Sequence, residues 1–353
     1  MKKFIAILLV LVVSFSAFAQ GGKEEATTAA APALKVGMVT DSGSIDDRSF
    51  NQGTYEGIKK AADELGLECR YLKPSGTATP EYVTAIADLA DAGFGFVGCP
   101  GFLFEEAVGE AADMFPELHL VILDSVVTGH DNVVSVLFKE EESGFLVGVA
   151  TALKLQEGSV GFVGGIEIPP VQKYNWGFQQ GIAYANKNYG TKISMDEKNF
   201  VYSGSFSDIA LGQQLATTMY ASGVDAIFAA AGGVGVGVIN DCKNRRLAGE
   251  NVWEVGVDID QYEDGMMENG ESCILTSALK GVDSASYALV KMAYEGNFPG
   301  GEILTFGAAE NGVGIPAENP NLTPEIEAEV AKVFADIASG KIVVQATADG
   351  LFK

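Results

Sequence analysis

The sequence predicts an α/β protein of two lobes, each a doubly wound parallel sheet, joined by hinge strands. Three observations predict it. Short apolar runs alternate with segments of helical period along most of the chain, the pattern of right-handed βαβ units. Those runs are apolar along their whole length rather than on alternate residues, as in strands covered on both faces. The rhythm breaks near residues 134–142 and then restarts, so a chain of 353 residues divides into two halves, as its size favours.

In the first half, residues 34–39 (Leu-Lys-Val-Gly-Met-Val) read as a strand. Residues 49–65 follow as a helix, with Tyr55, Ile58, Ala62 and Leu65 on one face. Strands are expected at 68–72, 94–99 and 119–123, helices at 80–92 and 104–114, and an extended run at 132–138. A long helix at 140–155 opens the second half. Strands at 159–163, 198–202, 226–230 and 252–258 alternate there with helices at 172–188, 209–222 and 234–246. Two later extended segments, 274–278 and 303–306, are expected to cross back between the lobes. One lobe is then 34–138 with 279–310, the other 139–278 with 311–353.

The first segment is read as a processing signal. Lys2 and Lys3, an apolar run over 4–15 and Ala17-Phe18-Ala19 describe a secretory signal peptide, 1–19, cut near Ala19. The run is shorter than the ~20 residues a spanning helix needs. Residues 20–33 are a flexible leader. No cysteine stands near the cleavage site to take a lipid, so the product is expected to be periplasmic or secreted.

Composition narrows the function. With 23 Lys+Arg against 47 Asp+Glu the net charge is −24, which disfavours nucleic acid as a partner. Two histidines and four scattered cysteines, without CxxC or HExxH spacing, offer little for a metal, and no metal or cofactor is expected. Cys69, Cys99, Cys242 and Cys273 sit in or beside apolar runs and read as buried thiols, although export would permit disulfides.

Ligands of doubly wound sheets lie outside the carboxyl ends of the strands, and between two such lobes they lie in a cleft that closes about the hinge. The first strand ends in Asp41-Ser42-Gly43-Ser44-Ile45-Asp46-Asp47-Arg48-Ser49-Phe50-Asn51-Gln52-Gly53. Capping by Asp47 or Ser49, with Gly43 as the turn and Phe50 in the core, accounts for part of this loop. Capping needs one Asp rather than three, so Asp41, Asp47 and Asn51 are candidates for a ligand's N–H and O–H donors, and Phe50 for stacking on a flat ligand. The loop partly resembles the Asp-x-Asp-Pro-Gly-x-Asp-Asp opening of calcium-dependent nucleoside hydrolases. It lacks the second Asp and the Pro, and calcium wants six or more oxygens.

Asp124 ends the fourth strand, and Gly204-Ser205-Phe206-Ser207-Asp208 joins a strand to a helix. Ala231-Gly232-Gly233-Val234-Gly235-Val236-Gly237 lacks the GK[ST] of a phosphate loop but lets backbone N–H groups approach a small ligand. Asp258 ends its strand with an acid able to take two hydrogen bonds from a diol, or to cap a helix. Lys280 falls in the presumed hinge as a ligand contact or a solvated lysine. Tyr174 and Trp176 could each wall the cleft or pack. There is no GxSxG and no plausible Ser–His–Asp set with only His119 and His130, so binding without catalysis is expected.

Several of these motifs, in order, resemble the basic membrane protein (Bmp/PnrA-like) family. They are Val39-Thr40-Asp41-Ser42-Gly43 through Asp46-Asp47-Arg48-Ser49-Phe50-Asn51-Gln52, Gly144-Phe145-Leu146-Val147-Gly148, the Ala231 to Val238 glycine run, Gly256-Val257-Asp258 with Asp260-Gln261-Tyr262, and Leu275-Thr276-Ser277. The resemblance runs from about residue 35 past Gly314-Ile315-Pro316. It implies a type I periplasmic-binding fold and a substrate-binding protein of a nucleoside ABC transporter, with a permease as partner. It implies purine nucleosides (inosine, guanosine, adenosine) as ligands of a monomer. Phe50 and Phe206 match the two rings that sandwich the purine. Asp41 and Asp47 match positions that meet the base, and Asp258, Lys280, Gly232 and Gly233 positions that hold the ribose, with Asp124 beside them. Two departures are the missing lipid-anchor cysteine and the charged or bulky Lys139-Glu140-Glu141-Glu142 and Lys173-Tyr174-Asn175-Trp176. The remaining alternatives are a receptor or sensor for a sugar or other small polar ligand, and the nucleoside hydrolase.

Overall fold

The computed structural model describes residues 34–352, so the expected signal peptide and leader lie outside the described residues. The chain first lays down β1 (Val36–Val39), α1 (Phe50–Leu65), β2 (Cys69–Leu72), α2 (Thr79–Asp91), β3 (Phe96–Pro100), α3 (Glu105–Met114), β4 (His119–Leu123) and β5 (Val133–Phe138). It continues with α4 (Glu140–Leu155), β6 (Glu157–Gly164), α5 (Pro169–Asn188), β7 (Lys192–Tyr202), α6 (Ile209–Ala221), β8 (Ala226–Ala230), α7 (Gly233–Leu247), β9 (Trp253–Asp258) and β10 (Ile274–Lys280). The last elements are α8 (Val282–Tyr294), β11 (Ile303–Phe306), β12 (Val313–Gly314) and α9 (Pro324–Ala338).

These strands form two six-stranded sheets, ordered β11-β5-β4-β3-β1-β2 and β12-β10-β9-β8-β6-β7. All neighbours pair in parallel except β10 with β12. The orders match place for place: β1 corresponds to β6, β3 to β8, β4 to β9 and β5 to β10. The central strands are fully buried and apolar, as β8 (Ala-Ile-Phe-Ala-Ala) shows. The edge strands β2, β7 and β11 are more exposed. β7 begins at Lys192, earlier than its 198–202 run suggests, because its first half alternates buried Ile193 with exposed Lys192 and Ser194 and then runs through exposed Glu197 and Lys198.

The chain passes between sheets three times: from β5 into α4, from β10 into α8, and from β11 to β12. Ile303–Phe306 does cross back, pairing with β5. The expectation that 274–278 crosses is corrected: Ile274–Lys280 lies parallel to β9 within the second sheet, and the crossing follows it. Two helices were not anticipated. In α8 small Ala and Ser fill much of the buried face. α9 carries a Thr323 cap, Pro324 in its first turn and buried Val330, Val333 and Ile337.

The second lobe is built around a close crossing of α4 and α5. A Cβ added to Gly177 would lie 2.1 Å from the Glu141 carbonyl oxygen, and one on Gly181 2.2 Å from that of Phe145. Gly144 and Gly148 make the reciprocal approach, 2.5 Å from the carbonyl oxygens of Tyr174 and Phe178. Backbone meets backbone here, so no side chain can move aside. Gly177→Ala is therefore expected to lower unfolding free energy by at least about 1–3 kcal/mol, the scale of overpacking. Urea unfolding measures this, and an unchanged midpoint would mean that the helices separate without loss.

Candidate ligand-binding cleft

The carboxyl ends of the two sheets face each other across a cleft, and each wall is made by loops leaving those ends. The β1–α1 loop is organised by two buried carboxylates. Asp47 Oδ1 accepts from the backbone N–H of Ser49 and Gln52 at 3.0 and 3.1 Å, and its Oδ2 from that of Asn51 at 3.0 Å. Asp47 thus supplies the capping of α1, and Ser49 does not. Asn51 Nδ2 bridges both acids, donating to Asp41 Oδ1 and Asp47 Oδ2 at 2.8 Å each. Asp41 Oδ1 also takes the Gly43 N–H at 2.7 Å. Its Oδ2 lies against Gly101, where a Cβ would approach to 3.2 Å. Gly101 has φ 113°, a conformation that favours glycine. Burial pushes Asp41 up to about 6 against the pull of Gly43 and Asn51, and burial also raises Asp47.

At the inner end of the cleft stands Lys280, the last residue of β10 and not the solvated hinge lysine weighed from sequence: it is 3% exposed. Its Nζ lies 2.7 Å from Asp124 Oδ2, 3.6 Å from Asp258 Oδ1 and 3.7 Å from Glu140 Oε1. It also sits 4.4 Å from the Phe50 ring centroid, with Tyr174 and Phe138 flanking it at 5.6 and 5.7 Å. Burial disfavours the ammonium, but Asp124, Asp258 and Glu140 outweigh it and raise its pKa. Asp124 and Asp258 follow β4 and end β9, both at φ 64°. A left-handed residue at each of these equivalent places turns the chain sharply off the sheet, and Asp tolerates it better than most.

The two aspartates differ in their partners. Asp258 Oδ2 accepts from Ser49 Oγ at 2.5 Å and its Oδ1 from the Tyr174 hydroxyl at 3.1 Å. Asp124 Oδ1 is buried with no protein partner, and burial pushes Asp124 up to about 7 despite Lys280. An orphaned buried acceptor beside a cation is a place where a ligand hydroxyl gains a hydrogen bond at little extra desolvation. Glu140 opens α4, where the helix N-terminus favours an acid, and Lys173 meets it at 3.1 Å. Of the charged runs around residues 140 and 173, Glu140 thus pairs with Lys173, while Lys139 pairs with Glu142.

The opposite wall is apolar, with Ile166, Ile168 and Val171 around Phe206. Phe206 lies directly on the backbone after β6: a Cβ on Gly165 would come within 2.1 Å of its ring. The glycine run supports it from behind. Gly232, at φ 53°, lines the cleft. Gly233 N–H donates to the Phe206 carbonyl at 2.9 Å, so Gly233 holds the ring's loop and is not itself on the lining. The structure therefore brings together Asp41, Asp47, Phe50, Asn51, Asp124, Phe206, Gly232, Asp258 and Lys280, and leaves Gly233 one step back. Of the two aromatics near residue 175, Tyr174 reaches the cleft and Trp176 does not. Sequence reasoning passed over Ser49 as a lining group, Gly101 and the isoleucines. Glu140 carried no signal beyond its place at a helix start.

The lobes touch at the mouth of the cleft. The Arg48 guanidinium pairs with Asp264, and Gln261 Nε2 donates to the Arg48 carbonyl at 2.6 Å. With Ser49–Asp258 these contacts join the start of α1 to the loop after β9, so the conformation is closed. Among the described residues no three His, Cys, Asp or Glu side chains are arranged to hold a metal ion.

The family described as ABC transporter substrate-binding protein PnrA-like matches residues 34–348. A Lactococcus lactis protein named ABC transporter nucleoside-binding protein BmpA is 32% identical, covering 97% of this chain and 99% of that protein. Basic membrane protein A1 of Borrelia garinii subsp. bavariensis is also 32% identical, over 97% of this chain and 96% of its own length. Among solved structures, a solute-binding protein of an ABC transporter system from Aeropyrum pernix K1 superposes with a TM-score of 0.77 at 26% identity, covering 90% of this chain and 95% of that one.

Proposed function

The chain belongs to the PnrA-like family of ABC transporter substrate-binding proteins, and from that premise we propose that it captures purine nucleosides in its cleft and delivers them to an ABC permease outside the cytoplasmic membrane. The observation that supports this most is the pairing of two rings from opposite lobes, Phe50 and Phe206, with a buried Lys280–carboxylate cluster at one end of the same cleft. A flat base fits the rings and a hydroxylated sugar fits the cluster. A bare pentose has no use for the rings.

In this reading the base lies between Phe50 and Phe206 and donates N–H to Asp41. Asp47 and Asn51 hold Asp41 in place. The ribose hydroxyls donate to Asp124 Oδ1 and to Asp258, which exchanges its bonds from Ser49 and Tyr174, and Lys280 donates to a sugar oxygen. Inosine, guanosine and adenosine share these features. With β10 kept whole in the second sheet, the closing bodies are 34–138 with 281–310 and 139–280 with 311–353, and the protein acts as an exported monomer that turns nothing over. No helix among the described residues is long and apolar enough to cross a membrane.

Calorimetric titration with inosine, guanosine, adenosine, cytidine and ribose tests this. Tight binding of intact purine nucleosides with ribose silent is the expected result. Binding of ribose alone would move the assignment to a sugar receptor, and release of free base would move it to a hydrolase. The titration should also depend on pH. A ligand N–H favours the ionised form of Asp41 and so draws down its raised pKa of about 6. The Asp41 contribution then falls as pH drops through that value, by up to about tenfold per pH unit, beside a separate change near 7 from Asp124. Equal inosine affinity at about pH 5 and about pH 7 would remove Asp41 as the acceptor.

A further inference from the structure

Cys242 and Cys273 stand far from the cleft lining, and nothing in the binding reading uses them. Cys242 lies in the third turn of α7, and Cys273 immediately precedes β10. Both are fully buried in the core beneath the second sheet. Cys273 Sγ approaches the Ile239 carbonyl oxygen, one turn before Cys242, at 3.8 Å, and Cys242 Sγ approaches the Cys273 carbonyl oxygen at 3.9 Å. Each sulfur thus reaches the backbone that carries the other. Cys69 is only half-buried, at the start of β2 in the first lobe, and Cys99 lies within β3 there.

We propose that Cys242 and Cys273 are joined by a disulfide in the exported protein, pinning α7 to β10. The family works outside the cytoplasmic membrane, where disulfides persist. The closed loop, residues 243–272, carries β9, Asp258 and the Gln261 and Asp264 contacts of the cleft mouth. The bond therefore fixes the segment that presents a ligand-binding acid. In the folded protein the neighbouring Cys242 thiol and then burial hold Cys273 as the thiol, and the Glu254 carboxyl, with both oxygens buried and unpartnered, disfavours its thiolate further against the weaker pull of Lys243. The bond consequently forms during folding, before the core closes. A thiolate of one cysteine attacks an oxidant disulfide, R–S–S–R, giving a mixed disulfide and R–SH. The second cysteine displaces the remaining R–S⁻, which takes its proton. Two electrons pass to the oxidant, which leaves as two R–SH.

The test is to denature and reduce the full chain, refold it with oxidised and reduced glutathione or with reduced glutathione alone, then alkylate under denaturing conditions and map the peptides. After oxidative refolding, alkylation at Cys69 and Cys99 with a linked 242–273 peptide pair is expected, together with a higher unfolding midpoint than the reduced preparation. Cys242→Ala should abolish both the link and the midpoint difference. Alkylation of all four cysteines after oxidative refolding, or a link involving Cys69 or Cys99, would overturn the proposal.

Discussion

Lys280→Met is expected to lower the unfolding free energy by about 3–5 kcal/mol, the usual cost of removing one partner of a buried ion cluster. The ammonium is 3% exposed and has Asp124, Asp258 and Glu140 within 3.7 Å. Without it these acids remain in a place water does not reach. They must take up protons or open the cleft. The loss should therefore be larger at neutral than at acid pH, because Asp124, which burial already pushes up to about 7, loses the ammonium that favours its charge and destabilises progressively as pH rises from the ordinary carboxylate range. Adding Asp124→Leu should recover part of the loss, since one unpaired charge goes with it. Urea unfolding at about pH 5 and about pH 7 measures both effects. A loss below about 1 kcal/mol at neutral pH would mean that Lys280 is not what keeps the cluster charged.

Phe50→Ala is expected to weaken purine-nucleoside binding by roughly 1–3 kcal/mol, the scale of one base–aromatic stack. The complication is that Phe50 also faces the Lys280 ammonium at 4.4 Å. Phe50→Leu keeps bulk and removes the ring from both roles, while Phe206→Ala removes a ring that is not among those facing Lys280. Comparable losses at Phe50 and Phe206 would assign the effect to stacking. A large loss at Phe50 alone would assign it to the Lys280 contact. Unchanged affinity in Phe50→Ala would remove that ring from the site.

Much of the framework was legible because buried parallel strands carry a strong local signal. Residues 119–123, 226–230 and 303–306 read as strands and 140–155 as a helix, and these are the bounds found. The rule that ligands sit beyond strand ends was enough to single out Asp41, Asp124 and Asp258 without contacts. What failed depends on long-range packing. Nothing in 274–280 says which sheet it joins, so Lys280 read as hinge. Tyr174 and Trp176 are two residues apart on α5, and only the helix's rotation decides which one sees the cleft. Ser49 and Glu140 reach the site through tertiary placement alone. Gly233 misled because a glycine run signals close backbone approach without saying to what, and here the partner is the Phe206 carbonyl.

The matching strand orders have an orientational consequence. Asp124 and Asp258 leave equivalent strands, β4 and β9, with the same backbone twist, so those two acids by themselves present nearly the same face to a ligand entering either way round. An elongated molecule in such a cleft would occupy two opposed poses of similar energy. Lys280 breaks that degeneracy: it extends from the end of β10, whereas the equivalent strand β5 ends in Phe138. Every 1.4 kcal/mol by which one lysine prefers a sugar oxygen to a ring edge makes one pose tenfold more populated than its reverse. The orientation of a captured molecule thus rests on departures from internal symmetry, Lys280 and the acidic β1–α1 wall among them.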